Sequence, residues 1–334
     1  MRYRTVGKTG IKVSEIGFGC WTMGGPNWSS DSGQSIGWAD VNTDEILAGI
    51  KVGLDAGVNH WDNADVYGNG RAERTLGACF RKLGVKRADQ VIATKVGHFR
   101  GTAPCSFEPA NIRHQCEQSL RNLQTDVIDI YYFHHGTFVG QTVDGREHDY
   151  LHEAAETMRA LVKEGKVRAV GQSAYSDEDF ERAVPVVRPD VLQSKANMRY
   201  DPFIRPGNKV PALMEKYGCS FVGFGPLDQG ILLDKFDPEN PPKFVEGDYR
   251  NNRKDMQADS LRELKPKMVQ LRSRFGDSIE ALSSAACRFV LGHPNVCSTI
   301  PGFRNARQAM CNIKGANDPA LSPADVEFCR GLFA

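Results

Sequence analysis

The chain alternates short apolar runs with amphipathic helical segments, and this unit occurs eight times. The apolar runs are SEIGFG (14–19), GVNHWDNA (57–64), QVIATKVG (90–97), DVIDIYYFH (126–134), KVRAVGQSA (166–174), DVLQSKAN (190–197), CSFVGFGPL (219–227) and NVCSTIPGF (295–303). Near-continuous apolar strands that alternate with helices are typical of parallel sheets with right-handed crossovers. Eight such units are what a closed (β/α)8 barrel requires, so we predict this α/β fold.

Three of the intervening segments show the clearest helical periodicity. They are TDEILAGIKVGLDAG (43–57), with Thr43 as candidate N-cap, EPANIRHQCEQSLRNLQ (108–124) and HEAAETMRALVKEGK (152–166). An open, doubly wound sheet is the alternative fold, but no strand is followed by G-x-G-x-x-G. No Pro/Gly/Ser-rich linker divides the 334 residues, so we expect a single domain over residues 1–334.

Two long polar inserts interrupt the alternation, at 24–42 after the first strand and at 228–255 after the seventh. Loops of this length are usually functional, and both would lie at the carboxyl-end face of the barrel, where active sites form. Trp28 and Trp38 of the first insert could form a wall of a substrate pocket, or could simply lie at the surface. Charged residues near this face favour a hydroxylated or charged substrate: Asp31, Asp40, Lys195 and Arg253.

Composition excludes several classes of protein. Lys and Arg number 42 and Asp and Glu 41, for a net charge of +1, which predicts neither nucleic-acid nor anionic-membrane binding. No apolar run could span a bilayer, and MRYRTVGKTGIKVSE (1–15) lacks the apolar core of a secretory signal. Nine cysteines without a C-x-x-C pair indicate reduced thiols, so we expect a cytoplasmic protein. No pattern indicates an oligomeric state.

Polar side chains occur at the ends of consecutive strands. Asp62 and Tyr67 follow the second strand, Lys95 ends the third and His134 ends the fourth. A lysine within an apolar strand must either reach solvent or have a carboxylate partner, for which Asp62 is the candidate. We therefore expect these four side chains to converge at one rim of the barrel.

This set of side chains predicts carbonyl chemistry. A lysine cation within hydrogen-bonding reach of Tyr67 would lower the pKa of the phenol, whose usual value is about 10. Tyr67 could then protonate a carbonyl oxygen, a contribution of about 10²–10⁴-fold. Asp62 would keep Lys95 charged and oriented, and His134 would hydrogen-bond the substrate oxygen or share the proton. The hydride must come from a cofactor, because no side chain supplies one.

The chain resembles the aldo-keto reductase family over nearly its full length. The matching stretches are WDNADVYGNGRAERTLG, VIATKVG, DVIDIYYFH, VRAVGQSA, GFGPLDQGIL and IPGFRNARQAMCN. The resemblance implies NADPH-dependent reduction of an aldehyde or ketone, with a catalytic tetrad at Asp62, Tyr67, Lys95 and His134. It also implies that YRTVGKTGIKVS (3–14) forms a hairpin that plugs the barrel floor.

The resemblance further implies the residues that hold NADP(H). Near the nicotinamide and its ribose these are Cys20, Trp21, Met23, Asp62, Ser173, Gln193 and Phe224. Around the pyrophosphate they are Pro226, Leu227, Gln229 and Gly230, and around the adenosine phosphate Gly302, Arg304, Gln308 and Asn312. A bidentate pair between Arg304 and a 2′-phosphate would favour NADP over NAD. The chain departs from the family pattern at four positions near the site: Ala174, Phe224, His135 and Lys195.

Two other functions are compatible with the pattern. A metal-dependent barrel hydrolase would use His60, Asp62, His134 and His135 as ligands, but a lysine beside a dication is unfavourable, and we expect His60 to be packed inside the barrel or at its rim. A non-catalytic sensor or regulatory subunit that binds NADP(H) could have the same fold, since fold alone does not determine function.

Overall fold

The computed structural model describes residues 1–29, 32–142 and 144–334, and at its centre is a closed barrel of eight parallel strands. The strands of the described residues are β1 (Tyr3–Thr5), β2 (Lys12–Ser14), β3 (Phe18–Gly19), β4 (His60–Asp62), β5 (Val91–Val96), β6 (Ile128–Phe133), β7 (Val139–Gln141), β8 (Glu147–Asp149), β9 (Val167–Ser173), β10 (Val191–Lys195), β11 (Ser220–Phe224) and β12 (Val296–Ile300). The barrel order is β3-β4-β5-β6-β9-β10-β11-β12. Parallel bridges Ile16↔Thr299 and Gly19↔Gly302 join its two ends. Each of the eight predicted runs contains one of these strands, and the predicted fold is confirmed.

Helices surround the barrel. They are α1 (Thr43–Asp55), α2 (Arg71–Leu83), α3 (Pro109–Leu123), α4 (Leu151–Lys163), α5 (Asp177–Val187), α6 (Lys209–Tyr217), α7 (Ala258–Phe275), α8 (Ile279–Leu291), α9 (Ala306–Ile313) and α10 (Pro323–Phe333). The three helices predicted from periodicity are present. The N-cap of α1 is Asn42, not Thr43: the Asn42 side chain accepts hydrogen bonds from the backbone N–H groups of Asp44 and Glu45, which the helix itself leaves unsatisfied.

The antiparallel β1–β2 hairpin closes the amino-end floor of the barrel, as the family resemblance implied. Its Val6, Ile11 and Val13 are buried and belong to the same apolar cluster as the side chains that fill the lower barrel. Those side chains include Val91, Ala93, Ile130, Tyr132, Ala169, Val191 and Val222. The floor is therefore sealed largely by apolar packing, and the buried polar side chains there, such as His60 and Ser298, bond one another or the hairpin backbone.

Strand alternation explains how the opposite, carboxyl-end face acquires its polar side chains. Residues two apart on a strand point to the same side, so positions in step with the apolar lumen residues also point inward. Lys95 is in step with Val91 and Ala93 on β5, and Gln193 is in step with Val191 on β10. The same alternation carries other candidate site residues inward: His134, Ser173 and Phe224.

The two inserts, 24–42 and 228–255, contact each other. The Tyr249 N–H donates to the Gly37 carbonyl at 2.8 Å, and the Asn252 side chain donates to the Ser35 carbonyl at 2.7 Å. Asp31 lies outside the described residues. The antiparallel β7–β8 hairpin, which was not predicted, follows β6 at the same face.

Two further features concern the chain as a whole. All nine cysteines are buried and free. Within the described ranges, no helix is long and apolar enough to cross a membrane.

Candidate active site

A buried ion pair lies inside the carboxyl-end rim of the barrel. The Lys95 ammonium nitrogen is 2.6 Å from Asp62 Oδ2 and also donates to the Asn63 carbonyl at 2.7 Å. The two charged side chains are only 1% and 3% exposed. Asp62 is therefore the carboxylate partner that the sequence predicted for Lys95.

Tyr67 lies in the loop between β4 and α2, with its hydroxyl 3.3 Å from the Lys95 nitrogen. Its ring meets that of His134 edge to face, with 5.9 Å between centroids. Burial, and next the charge of Asp62, raise the pKa of Tyr67 well above its usual value near 10. The expected lowering of this pKa was wrong, because burial of the phenol, and after it the charge of Asp62, disfavours the phenolate. The phenol is consequently protonated at neutral pH.

His134 is a neutral imidazole. Burial lowers its pKa well below 6.5, and His98, Lys95 and His135 lower it further. The His98 and His134 rings are 4.5 Å apart, and among the described residues nothing hydrogen-bonds His134 Nδ1. Of the two roles considered, a hydrogen bond to substrate fits a neutral ring better than sharing the proton.

Ser173 and Gln193 are register partners on β9 and β10. Gln193 Nε2 donates to Asp62 Oδ1 at 2.7 Å, a contact that the sequence did not indicate. The Ser173 hydroxyl is buried, and no described residue hydrogen-bonds it. Buried polar groups are nearly always satisfied, so this hydroxyl fits a site that completes its bonding with a polar ligand such as a carboxamide.

The three candidates after β3 differ in orientation. Cys20 and Met23 are fully buried in the apolar core, although Cys20 lies close enough to the ion pair for Asp62 to contribute, after burial, to the raised pKa of its thiol. Trp21 reaches the rim: its ring is 6.2 Å from that of Tyr67, and its indole nitrogen donates to the Ile36 carbonyl at 2.9 Å. The first insert thus orients Trp21 beside the tyrosine.

The two tryptophans of the first insert also differ. Trp38 is buried, with its ring 5.6 Å from that of Trp21 and 4.2 Å from the Arg250 guanidinium. Trp28 is 47% exposed. Trp38 therefore supports Trp21 from behind, and Trp28 lies at the surface.

Loops after β11 and β12 contain the remaining candidates. Gln229 and Gly230 have positive φ angles of 57° and 98°, which sharply turn the loop that follows Pro226 and Leu227. After β12, Gln308 accepts a hydrogen bond from the Arg304 backbone N–H at 2.9 Å. Asn312 donates to the Gly302 carbonyl at 3.0 Å. The last two side chains therefore shape the loop that presents Arg304 at the amino end of α9.

Arg304 belongs to a group of cations that the sequence analysis did not identify. Burial lowers the pKa of Lys235, and the neighbouring charges of Arg250, Arg304 and Arg307 lower it further. Burial and Arg250 likewise lower the pKa of Arg304. Asp248 pairs with Arg250 at 2.7 Å, whereas no described carboxylate forms an ion pair with Lys235 or Arg304. Such a concentration of positive charge at a helix amino end fits a polyanionic ligand.

Two of the charged residues cited for substrate preference, Lys195 and Arg253, already have a carboxylate partner. Asp228 is 2% exposed, and its carboxylate is contacted by Lys195 at 3.3 Å, by Arg253 at 3.1 Å and by Arg199. Asp40 is exposed. These ion pairs reduce the charge that Lys195 and Arg253 offer to a ligand, and the preference for a hydroxylated or charged substrate stays a prediction.

His60 is a packed residue of the barrel interior, as predicted. It is fully buried, its Nδ1 is 2.9 Å from Ser298 Oγ, and burial lowers its pKa to about 4. In the part of the chain that the structure describes, no three His, Cys, Asp or Glu side chains are grouped to hold a metal ion.

The sequence of the chain is similar to proteins of a known family. A family model described as "Aldo/keto reductase family" matches residues 15–332. The "Probable voltage-gated potassium channel subunit beta" of Oryza sativa subsp. japonica is 29% identical over 98% of this chain and 95% of its own. The "Aldo-keto reductase yakc [NADP(+)]" of Schizosaccharomyces pombe is 27% identical over 95% of this chain and 88% of its own.

A solved structure shares the fold. The glycerol dehydrogenase AKR11B4 from Gluconobacter oxydans superposes with a TM-score of 0.76 at 23% identity, over 99% of this chain and 94% of that one. The family match extends from before β3 to the last helix, and so it includes every residue of the rim described above. The chain belongs to the aldo/keto reductase family.

Proposed function

We propose that this protein reduces an aldehyde or ketone to an alcohol with NADPH, and that Tyr67 is the general acid. The observation that carries the proposal is the Tyr67 hydroxyl 3.3 Å from the Lys95 ammonium, which is itself 2.6 Å from Asp62. A protonated phenol can give its proton to a carbonyl oxygen. The ammonium beside it then stabilises the phenolate that remains.

The side chains around the tyrosine support this reaction. The neutral His134 can hydrogen-bond the carbonyl oxygen and hold it near Tyr67. Trp21 provides an apolar wall on the other side of the tyrosine ring. When bound, the nicotinamide supplies the hydride that the protein itself lacks.

Three observations support NADP(H) as the cofactor. The buried Ser173 hydroxyl lacks a partner among the described residues, and the Gln229 side-chain oxygen is in the same situation. Lys235 and Arg304 carry positive charge without a carboxylate partner, beside the amino end of α9. We propose that Ser173 and Gln193 hold the carboxamide and that Arg304 holds the 2′-phosphate. The printed name of the fission-yeast relative includes NADP(+).

The test is the Tyr67→Phe variant, which removes only the hydroxyl. NADPH consumption is measured with a panel of aldehydes and ketones, and NADPH affinity is measured separately by fluorescence titration. We expect kcat to fall about 10²–10⁴-fold, with the dissociation constant for NADPH nearly unchanged. Tyr200→Phe, which removes a hydroxyl from an exposed tyrosine, is the matched control and should retain activity. A Tyr67→Phe variant as active as the parent would refute the acid assignment.

A non-catalytic regulatory subunit that binds NADP(H) is the second candidate. The rice relative favours it, since its printed name describes it as a probable potassium channel subunit. The same assay separates the two functions. Tight NADPH binding without oxidation by any carbonyl in the panel would favour the regulatory role, and turnover would favour the reductase.

A further inference from the structure

Gln193 contacts the Asp62 carboxylate from the opposite side of the barrel. In the strand order, β10 lies four positions from β4, which is half of an eight-stranded circumference. Its inward orientation carries Gln193 across the lumen, where Nε2 donates to Asp62 Oδ1 at 2.7 Å. Gln193 is 1% exposed and Asp62 is 2% exposed. The bond is therefore shielded from water. Hydrogen bonds to charged groups are stronger in such a buried environment than in water.

The two oxygens of Asp62 have different partners. Oδ1 accepts from Gln193 and Oδ2 accepts from Lys95 at 2.6 Å. With one partner on each oxygen, the carboxylate has a single preferred rotation. Without the amide, Oδ1 would lose its buried donor, and the carboxylate could turn away from the orientation that places Lys95 at 3.3 Å from Tyr67.

We infer that Gln193 is a positioning residue, which fixes Asp62 and thereby holds the Lys95 ammonium beside the Tyr67 hydroxyl. The inference rests on the proposed function and adds to it. The amide has two N–H groups and an oxygen, so Gln193 can bond Asp62 through one N–H and still offer the other N–H or the oxygen to the carboxamide that the family resemblance implies. One side chain then contacts both the cofactor site and the ion pair behind the acid.

The first test is Gln193→Met, which keeps the length of the side chain and removes the amide. If Gln193 positions Asp62, kcat at saturating NADPH should fall about 10- to 100-fold. The primary isotope effect with deuterated NADPH should rise, because hydride transfer becomes slower. A role limited to the carboxamide would instead weaken NADPH binding and leave kcat at saturation unchanged, which would overturn the inference. Gln90→Met is the matched control, since it removes a buried amide that bonds Trp61 at 2.8 Å.

A second variant gives a pH signature that a loss of stability would not produce. The carboxyl group of Gln193→Glu can donate to Asp62 only while it is protonated. Its activity should therefore increase, relative to Gln193→Met, as the pH falls. The charged or titratable groups that face this position are Asp62 and Tyr132, with Lys95, Tyr67 and His134 beyond Asp62. All five are retained in both variants, so their own titration cancels in the comparison.

A thermal-unfolding cycle tests the contact without activity. The cofactor-free chain is compared with Gln193→Met, Asp62→Asn and the double variant. Residues in contact show non-additive effects, so the double variant should lose less stability than the two single variants together. Additive losses would overturn the inference. If the parent protein reduces no carbonyl, the proposed function fails, and this cycle still decides whether Gln193 holds Asp62.

Discussion

Two glycines pack backbone against backbone behind the tyrosine, and they allow a sharp test of its position. A Cβ at Gly24 would lie 2.8 Å from the Gly68 nitrogen and the Tyr67 carbonyl carbon. Ordinary contact begins near 3.4 Å, so Gly24→Ala requires about 0.6 Å of movement (2.8 to 3.4 Å). At Gly68, whose φ is +59°, a Cβ would lie 1.9 Å from the Gly24 carbonyl oxygen. The obstacle is backbone in both cases, so the loop carrying Tyr67 must move.

We expect kcat to fall in proportion to this movement. A displacement of about 1 Å at a reacting group can cost about 10²-fold, so Gly24→Ala should lower kcat about 10-fold and Gly68→Ala about 100-fold or more. Affinity for NADPH should change little, because Lys235 and Arg304 lie on other loops. The assays are kcat at saturating NADPH, NADPH fluorescence titration and thermal unfolding.

The control is Gly331→Ala in α10, where a Cβ would meet no atom within 4 Å. This variant should match the parent protein in all three assays. A Gly24→Ala variant with parental kcat would refute the reasoning, as would a loss confined to NADPH affinity.

Two further predictions concern charge. Arg304→Ala should raise the dissociation constant for NADPH about 10- to 100-fold and that for NADH only slightly; equal weakening would show that Arg304 does not contact the 2′-phosphate. Asp65 is buried, and burial together with Glu73 raises its pKa well above 3.8, against the smaller opposing effect of the Val66 backbone N–H. Because the folded-state pKa is raised, the stability that Asp65 contributes is present below about pH 4 and is lost as the pH rises. Asp65→Asn should therefore raise the melting temperature at pH 8 more than at pH 4, and equal shifts at the two pH values would contradict this assignment.

The barrel could be predicted because buried parallel strands leave a strong apolar signal. Each run, such as VIATKV, is buried on both faces, so the pattern persists along the whole element. The β7–β8 hairpin gives no such signal. Its strands Val139–Gln141 and Glu147–Asp149 are exposed or half-buried throughout, so no burial constrains their composition.

The sequence predicted the part of the site that is formed by residues at the ends of adjacent strands. Asp62 and Lys95 come together because adjacent strands end at the same rim. The cations Lys235 and Arg250 come from the second insert, whereas Arg304 and Arg307 lie at the start of α9. The two pairs are far apart in the sequence, so only the folded chain brings them together. Likewise, nothing in the sequence shows that Asp228 pairs with both Lys195 and Arg253.

Whether the pKa of Tyr67 is raised or lowered decides how Tyr67 would act as a general acid. A phenol with a lowered pKa would be partly ionised at neutral pH, and the ionised fraction could not donate a proton. In the proposed reaction, burial and the charge of Asp62 keep Tyr67 protonated until a carbonyl oxygen is available. The ammonium already lies 3.3 Å from the oxygen that becomes charged, and no rearrangement is needed when the proton leaves. Lys95 therefore assists by being in place for the phenolate, which is preorganised stabilisation of the transition state rather than activation of the resting acid.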